Sequence, residues 1–303
     1  MHPSIGYNMN KRTLYSLFIL ILIIVSAISG CSSMFYWPTG YLYVHPKKVN
    51  LIFEEIRFDS LDETELIGWN FPSSKTPESF TIFFHGNAQN LTSHYLNLKW
   101  MPARNHSFFI FDYRGYGISG HTNKVYGKGE RVLHPNQQGV HKDAVAALNK
   151  AYQLYKESKA KRFIVYGQSL GGTILMRALE DFKEKDKIDL IILDSTFRSY
   201  QEMAFDKLWS TWILRPLAPL SYLLISDEYS SRKFLNINTT KVLVIHGTED
   251  DVVPFHFGEL IFKQLINTKD KIFWKIPSGG HIDVFTDKHK KYRDQLDKLI
   301  KSI

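Results

Sequence analysis

A chain of 303 residues, 44% hydrophobic and 14% aromatic, can bury one large domain or two small ones and is too apolar to be disordered. Its formal charge of +8 is spread out, and the C-terminal lysines from Lys269 to Lys301 alternate with acidic and apolar positions as on a solvated face. No base-reading motif accompanies them, which argues against a nucleic-acid partner, and the single cysteine, Cys31, excludes an intrachain disulfide.

Lys11 and Arg12 precede an apolar run over residues 14–28, and Ser29 and Gly30 follow it. This is the layout of a signal peptide; its removal at residue 30 would leave a charge of +6. The run is shorter than the ~20 residues that a spanning helix needs, so a cleaved leader is favoured over a permanent transmembrane anchor. Ile28-Ser29-Gly30-Cys31 resembles the bacterial lipobox, in which the chain is cut before the cysteine and the thiol is acylated. The expectation is a lipoprotein signal peptide over 1–30 and a lipid on Cys31 that tethers the protein to a membrane of the cell envelope. Acyl chains contribute roughly 0.8 kcal/mol per buried CH₂, so two or three of them anchor stably. Residues 31–50, with Pro38, Gly40 and Pro46 among aromatics, read as a tether that packs on the domain edge.

Residues 51–58 and 64–70 read as two antiparallel strands around a polar turn. Residues 80–84 are nearly all apolar, as a strand buried on both faces must be, and end in His85-Gly86-Asn87-Ala88. Such a loop can present a backbone N–H to an oxyanion, while His85 itself reads as structural. The strand over 106–113 runs into a G-x-G-x-x-G at Gly115, Gly117 and Gly120. A dinucleotide site requires a helix opening at the third glycine and a first strand in the fold. Here polar residues 121–139 follow and two or three strands come before, so no cofactor is expected.

A helix over 141–156 and a strand over 162–167 lead to Gly167-Gln168-Ser169-Leu170-Gly171-Gly172. A serine on a sharp strand-to-helix turn projects its hydroxyl out of the sheet as a nucleophile. The helix over 170–183 aims its N-terminus at the same spot, which favours developing negative charge. A strand over 188–193 ends at Asp194. Residues 197–240, rich in Trp, Leu and Ile, break the alternation and read as a helical lid. This lid is either the wall of a pocket for an apolar acyl chain or ordinary packing. The strand over 241–245 ends in His246-Gly247-Thr248-Glu249-Asp250-Asp251, a helix covers 254–265, and the strand over 271–276 ends at Gly280-His281. A closing helix spans 286–301. The alternation from residue 80 onward predicts a mostly parallel, twisted sheet of about eight strands with helices on both faces.

Strand ends on one edge of a parallel sheet converge, so Ser169, an acid and His281 can meet although they are far apart in sequence. His281 would then take the Ser169 proton while the acid fixes its tautomer. Geometry alone does not separate Asp250 from Asp251, and Asp194 is a further competitor. The twelve histidines show no metal-ligand spacing, so no metal is expected.

From about residue 50 to 303 the chain resembles the α/β-hydrolases, close to the serine-aminopeptidase-like hydrolases and the small eukaryotic protein depalmitoylases. The resemblance rests on Phe84-His85-Gly86-Asn87-Ala88, Asp112-Tyr113-Arg114-Gly115-Tyr116-Gly117, Gly167-Gln168-Ser169-Leu170-Gly171-Gly172, His246-Gly247-Thr248-Glu249-Asp250 with Val253-Pro254, and Gly280-His281. It implies Ser169 as nucleophile, His281 as base, and Asp250 as acid from its spacing to Val253-Pro254. The N–H groups of Asn87 and Leu170 would form the oxyanion hole. Two departures bear on substrate preference: Ile282 stands where relatives commonly have Asn, and residues 122–133 read as an insertion. The implied function is a membrane-tethered serine hydrolase that cleaves carboxylic esters or thioesters with an apolar acyl group. The alternatives are a serine peptidase of aminopeptidase type and a catalytically idle surface binding module.

Overall fold

Phe83 and Phe84 are adjacent, so only a strand covered on both faces can bury both rings. In the computed structural model, which describes residues 35–121, 125–127, 133–232, 241–266, 268 and 270–303, that is their position. Phe84 packs with Phe80, Ile82 and Val165 on one face, and Phe83 packs with Phe108, Ile110 and Tyr166 on the other. The strands are β1 (Glu54–Asp59), β2 (Glu65–Phe71), β3 (Ser79–Phe84), β4 (His106–Phe111), β5 (Arg162–Gln168), β6 (Leu190–Asp194), β7 (Lys241–Gly247) and β8 (Lys271–Ile276). They form one sheet in the order β1-β2-β4-β3-β5-β6-β7-β8, in which β2 runs against both its neighbours and the other pairings are parallel.

The helices are α1 (Leu91–His94), α2 (Gln137–Ser158), α3 (Leu170–Asp181), α4 (Tyr200–Ser210), α5 (Ser221–Leu224), α6 (His256–Gln264) and α7 (Lys291–Ser302). Leu148 of α2, Leu175 of α3 and Ile261 of α6 cover the face of Phe84. Leu91 of α1 and Tyr292, Leu296 and Ile300 of α7 cover the other. This is the α/β-hydrolase architecture that the alternation of strands and helices predicts.

Several boundaries differ from the sequence expectation for identifiable reasons. β4 stops at Phe111 because residues 112–120 form a turn in which Gly115, Gly117 and Gly120 all have positive φ. The G-x-G-x-x-G is therefore turn chemistry. α2 begins at Gln137, earlier than expected, because Asn136 caps it by accepting from the Gly139 N–H at 2.8 Å. The closing helix begins late, at Lys291, behind a 3₁₀ turn over Asp287–His289. The lid is only partly α-helical: between α4 and α5 the chain follows a 3₁₀ path over Arg215–Leu220 that contains Pro216 and Pro219. Residues 233–240 of the expected lid, residues 122–124 and 128–132 of the expected insertion, and the expected signal peptide with Cys31 lie outside the described residues. Among the described residues no helix is long and apolar enough to cross a membrane.

Residues 35–44 run along the loop after β3, at the C-terminal edge of the sheet. The Trp37 N–H donates to Asn87 Oδ1 at 2.8 Å and the Gly117 N–H to Thr39 O at 2.9 Å. Asn90 Nδ2 donates to the carbonyls of Thr39 and Tyr41. Tyr36 is buried, with its hydroxyl 3.3 Å from that of Tyr200.

Candidate active site

β5 delivers Ser169 onto the turn before α3 with φ +53° and ψ −126°. This left-handed backbone costs a serine on the order of 1–3 kcal/mol and persists only where the surroundings over-determine it. They do: its N–H donates to Asp194 O at 2.8 Å, and its carbonyl accepts from Thr196 Oγ1 at 2.6 Å and Gly172 N at 3.0 Å. A Cβ on Gly171 would collide with the Phe84 carbonyl, and one on Gly167 would lie 2.5 Å from Gly172 Cα. The glycines of the motif are thus required by close approach. Ser169 occupies the N-cap position of α3, yet its side chain makes no capping bond, so Oγ is left for another partner.

That partner is His281, on the loop after β8. Its Nε2 lies 3.1 Å from Ser169 Oγ and its Nδ1 lies 2.8 Å from Asp250 Oδ2. Asp250 follows β7, and its Oδ1 accepts from the N–H groups of Val252 at 2.9 Å and Val253 at 2.8 Å. Burial raises the Asp250 pKa. Hydrogen bonds from His246 and His281, the His281 charge and the Val253 N–H outweigh burial and hold the carboxyl well below the usual range. The competing acids are placed elsewhere. Asp251 is exposed. Asp194 is fully buried, which pushes its pKa up, and it takes its bonds from Tyr166 Oη at 2.6 Å and Gln168 Nε2 at 3.1 Å.

Ile282 has φ +53°, a strained conformation for a β-branched residue and one that asparagine tolerates better. Ile282→Asn is therefore expected to raise the melting temperature by about 1–3 °C. A lower melting temperature in thermal denaturation would contradict the strain argument.

Asn87 and Leu170 both line the cavity that opens over Ser169. The Asn87 loop is packed against the turn, since a Cβ on Gly86 would lie 3.2 Å from Ser169 Cβ. Ala88 and Gln89 both have positive φ, and side-chain bonds fix the loop in that shape. Asn87 Oδ1 accepts from the N–H groups of Trp37 and Ala88 and from Tyr116 Oη at 2.9 Å. His94 Nε2 donates to Ala88 O at 3.1 Å; burial, followed by the charges of His85 and His281, pushes its pKa down to about 3, so it is a neutral donor. The cavity holds about 320 Å³, and its walls are mainly apolar: Phe35, Phe197, Met203, Leu208, Ile225 and Val253 among them.

The structure thus gathers Ser169, His281, Asp250, Asn87 and Leu170 at one end of the sheet, while Cys31 is outside the described residues. The sequence reading does not mark Phe35, Trp37 or His94, and it quotes Tyr116 only as part of the stretch from Asp112 to Gly117, without a role. For Phe35 and Trp37 the aromatic run beside Pro38 is the one available signal. Among the described residues no group of three His, Cys, Asp or Glu could hold a metal ion.

Residues 75–234 match the family described as serine aminopeptidase, S33. The chain belongs to that family. The uncharacterized protein YfhR of Salmonella typhimurium is 33% identical over 96% of both chains. The α/β-hydrolase domain-containing protein WAV2 of Arabidopsis thaliana is 30% identical over 80% of this chain and 76% of its own. The Pyrococcus furiosus esterase Pf2001 shares the fold, with a TM-score of 0.65 at 17% identity over 88% of this chain and 96% of its own. As an S33 member the protein is an α/β-hydrolase of the esterase and peptidase type. In this S33 hydrolase a hydroxyl meets an imidazole whose other nitrogen is held by a buried carboxylate. Such a group can pass its proton to the ring as its oxygen attacks an electrophilic carbon.

Proposed function

We propose that the protein is a membrane-tethered serine hydrolase that cleaves carboxylic esters or thioesters carrying an apolar acyl group. The observation that supports this most directly is the Ser169 Oγ to His281 Nε2 distance of 3.1 Å at the floor of an apolar cavity of about 320 Å³. Ser169 Oγ attacks the carbonyl carbon while His281 Nε2 takes its proton, and Asp250 stabilises the imidazolium. The N–H groups of Asn87 and Leu170 donate to the oxyanion. Collapse of the tetrahedral intermediate expels an alcohol or thiol, which receives the proton from His281. Water then repeats the sequence on the acyl-enzyme and releases the acid.

The cavity wall distinguishes the acyl reading from the aminopeptidase reading. A protonated substrate amine needs a carboxylate nearby, whereas the one charged side chain among the described cavity-lining residues is the cation of Lys207. With p-nitrophenyl esters, kcat/KM is expected to rise about 3- to 4-fold per added methylene from acetyl toward hexanoyl, as each CH₂ buried contributes about 0.8 kcal/mol. Aminoacyl amides should be poorer substrates than either. A series that falls from acetyl onward removes the acyl pocket, and faster cleavage of aminoacyl amides restores the peptidase.

The tether is proposed from the lipobox-like Ile28-Ser29-Gly30-Cys31. Cys31→Ala is expected to block processing or to shift the protein from the membrane to the soluble fraction on immunoblots. A variant that is cleaved and still membrane-bound contradicts acylation at this residue.

A further inference from the structure

The outer face of the lid is apolar and unpartnered among the described residues. Trp212 is 80% exposed and Leu223 79%, and Trp209, Ile213, Leu217 and Tyr222 are exposed beside them. Phe205 of α4 joins two of them, since it stacks on Trp209 at 5.6 Å and meets Tyr222 of α5 at the same distance, and the others lie on the short stretch of chain between and beside these two. Monomeric proteins in water rarely keep so large an apolar patch without using it. Between Asp206 and Asp227 there is no acid, and the cation on this side is Arg215, because Lys207 lines the cavity and donates to Asp251 O at 3.0 Å. The Arg215 guanidinium lies over the Trp209 ring at 5.3 Å. Tryptophan and tyrosine among aliphatic side chains, with an arginine and no acid between them, is the composition of a surface at the headgroup level of an anionic bilayer.

The entry of the chain gives the side from which a membrane is reached. The described residues start at Phe35, whose ring lies 5.0 Å from that of Tyr200 at the start of α4. Phe35, which follows the apolar run 14–28 and Cys31 in the sequence, therefore sits at the base of the lid. The inner side of α4 lines the cavity through Met203 and Leu208. We infer that the outer face of the lid, residues 209–223, docks on the boundary between headgroups and acyl chains of an anionic bilayer. The mouth of the cavity is then held next to the membrane that the N-terminus reaches. This rests on the tether proposed above but does not require hydrolysis.

The test uses the full-length chain with vesicles of phosphatidylethanolamine and phosphatidylglycerol whose acyl chains are brominated, a short-range quencher of tryptophan emission. The wild type is expected to lose a third or more of its emission relative to vesicles without bromine. Trp209→Phe/Trp212→Phe, which removes two of the six tryptophans, should lose less than half that fraction. In a second variant, Trp212→Glu/Leu223→Glu, hydrolysis of an ester embedded in vesicles should drop about tenfold or more while a soluble short-chain ester changes by less than about twofold. Equal fractional quenching of the wild type and the phenylalanine variant, in protein that sediments with vesicles, overturns the docking. So do cross-links between two copies through residues 209–223, and protection of that face by residues 14–28 when vesicles are present. Failure to sediment overturns both tether and docking. Quenching as expected, with hydrolysis of neither ester, supports the docking and sinks the hydrolase reading alone.

Discussion

Ser169→Ala is expected to lower kcat/KM for acyl esters by about 10⁴-fold or more while leaving the melting temperature within a few degrees of the wild type. The loss is large because the variant has no hydroxyl to form the acyl-enzyme. Some acceleration over water should survive from the N–H groups of Asn87 and Leu170 and from substrate binding. The stability change is small for structural reasons. The Oγ does not cap α3, and the bonds that hold the turn run through the Ser169 backbone to Asp194, Thr196 and Gly172. Alanine, also an L-residue, keeps the strain of φ +53° without adding to it. A fluorophosphonate probe should label the wild type and not the variant. Unchanged ester hydrolysis by Ser169→Ala would end the hydrolase proposal, and a collapse of the melting temperature would show that the hydroxyl is structural.

The part of the site that could be read from the sequence is the part encoded locally. Strand, Gly167-Gln168-Ser169-Leu170-Gly171 and helix are contiguous, so the turn geometry is written in one stretch. The two faces of β3 are likewise written in Phe83-Phe84. The choice between Asp250 and Asp251 was not local. Their residue types are identical, and it is the pair of N–H groups from Val252 and Val253 that turns one carboxylate inward toward His281. Only the resemblance to α/β-hydrolases indicated which one. Phe35 was illegible for a different reason. Its contact, Tyr200, is 165 positions away, and an aromatic among Pro and Gly has the same composition whether it hangs as a tether or walls a cavity. His94 and Tyr116, which fix the Asn87 loop, sit on a one-turn helix and in a glycine turn with no period to mark them. Ile282 was visible as a departure, but the reason that it matters, a positive φ, required the backbone.

Asp250→Asn is expected to lower kcat by about 10³- to 10⁴-fold, although it changes one atom and keeps the shape of the side chain. The Oδ1 position accepts from two backbone N–H groups, so the amide oxygen must stay there and the NH₂ must take the Oδ2 position facing His281 Nδ1. A donor at that point requires an unprotonated Nδ1. The ring hydrogen then moves to Nε2, and Nε2 can no longer accept the Ser169 proton. The same carboxylate carries a pH signature. Its pKa in the folded protein lies below the unfolded value of about 3.9, so its stabilisation is complete above that pH and is lost as pH falls through the folded value. The wild type should melt above the variant at neutral pH, and the gap should narrow as pH is lowered toward 3 in calorimetric scans. A gap that stays constant or widens would mean that the carboxylate is not held charged by His246, His281 and the Val253 N–H. The imidazolium of the proposed mechanism would then lack its counter-charge.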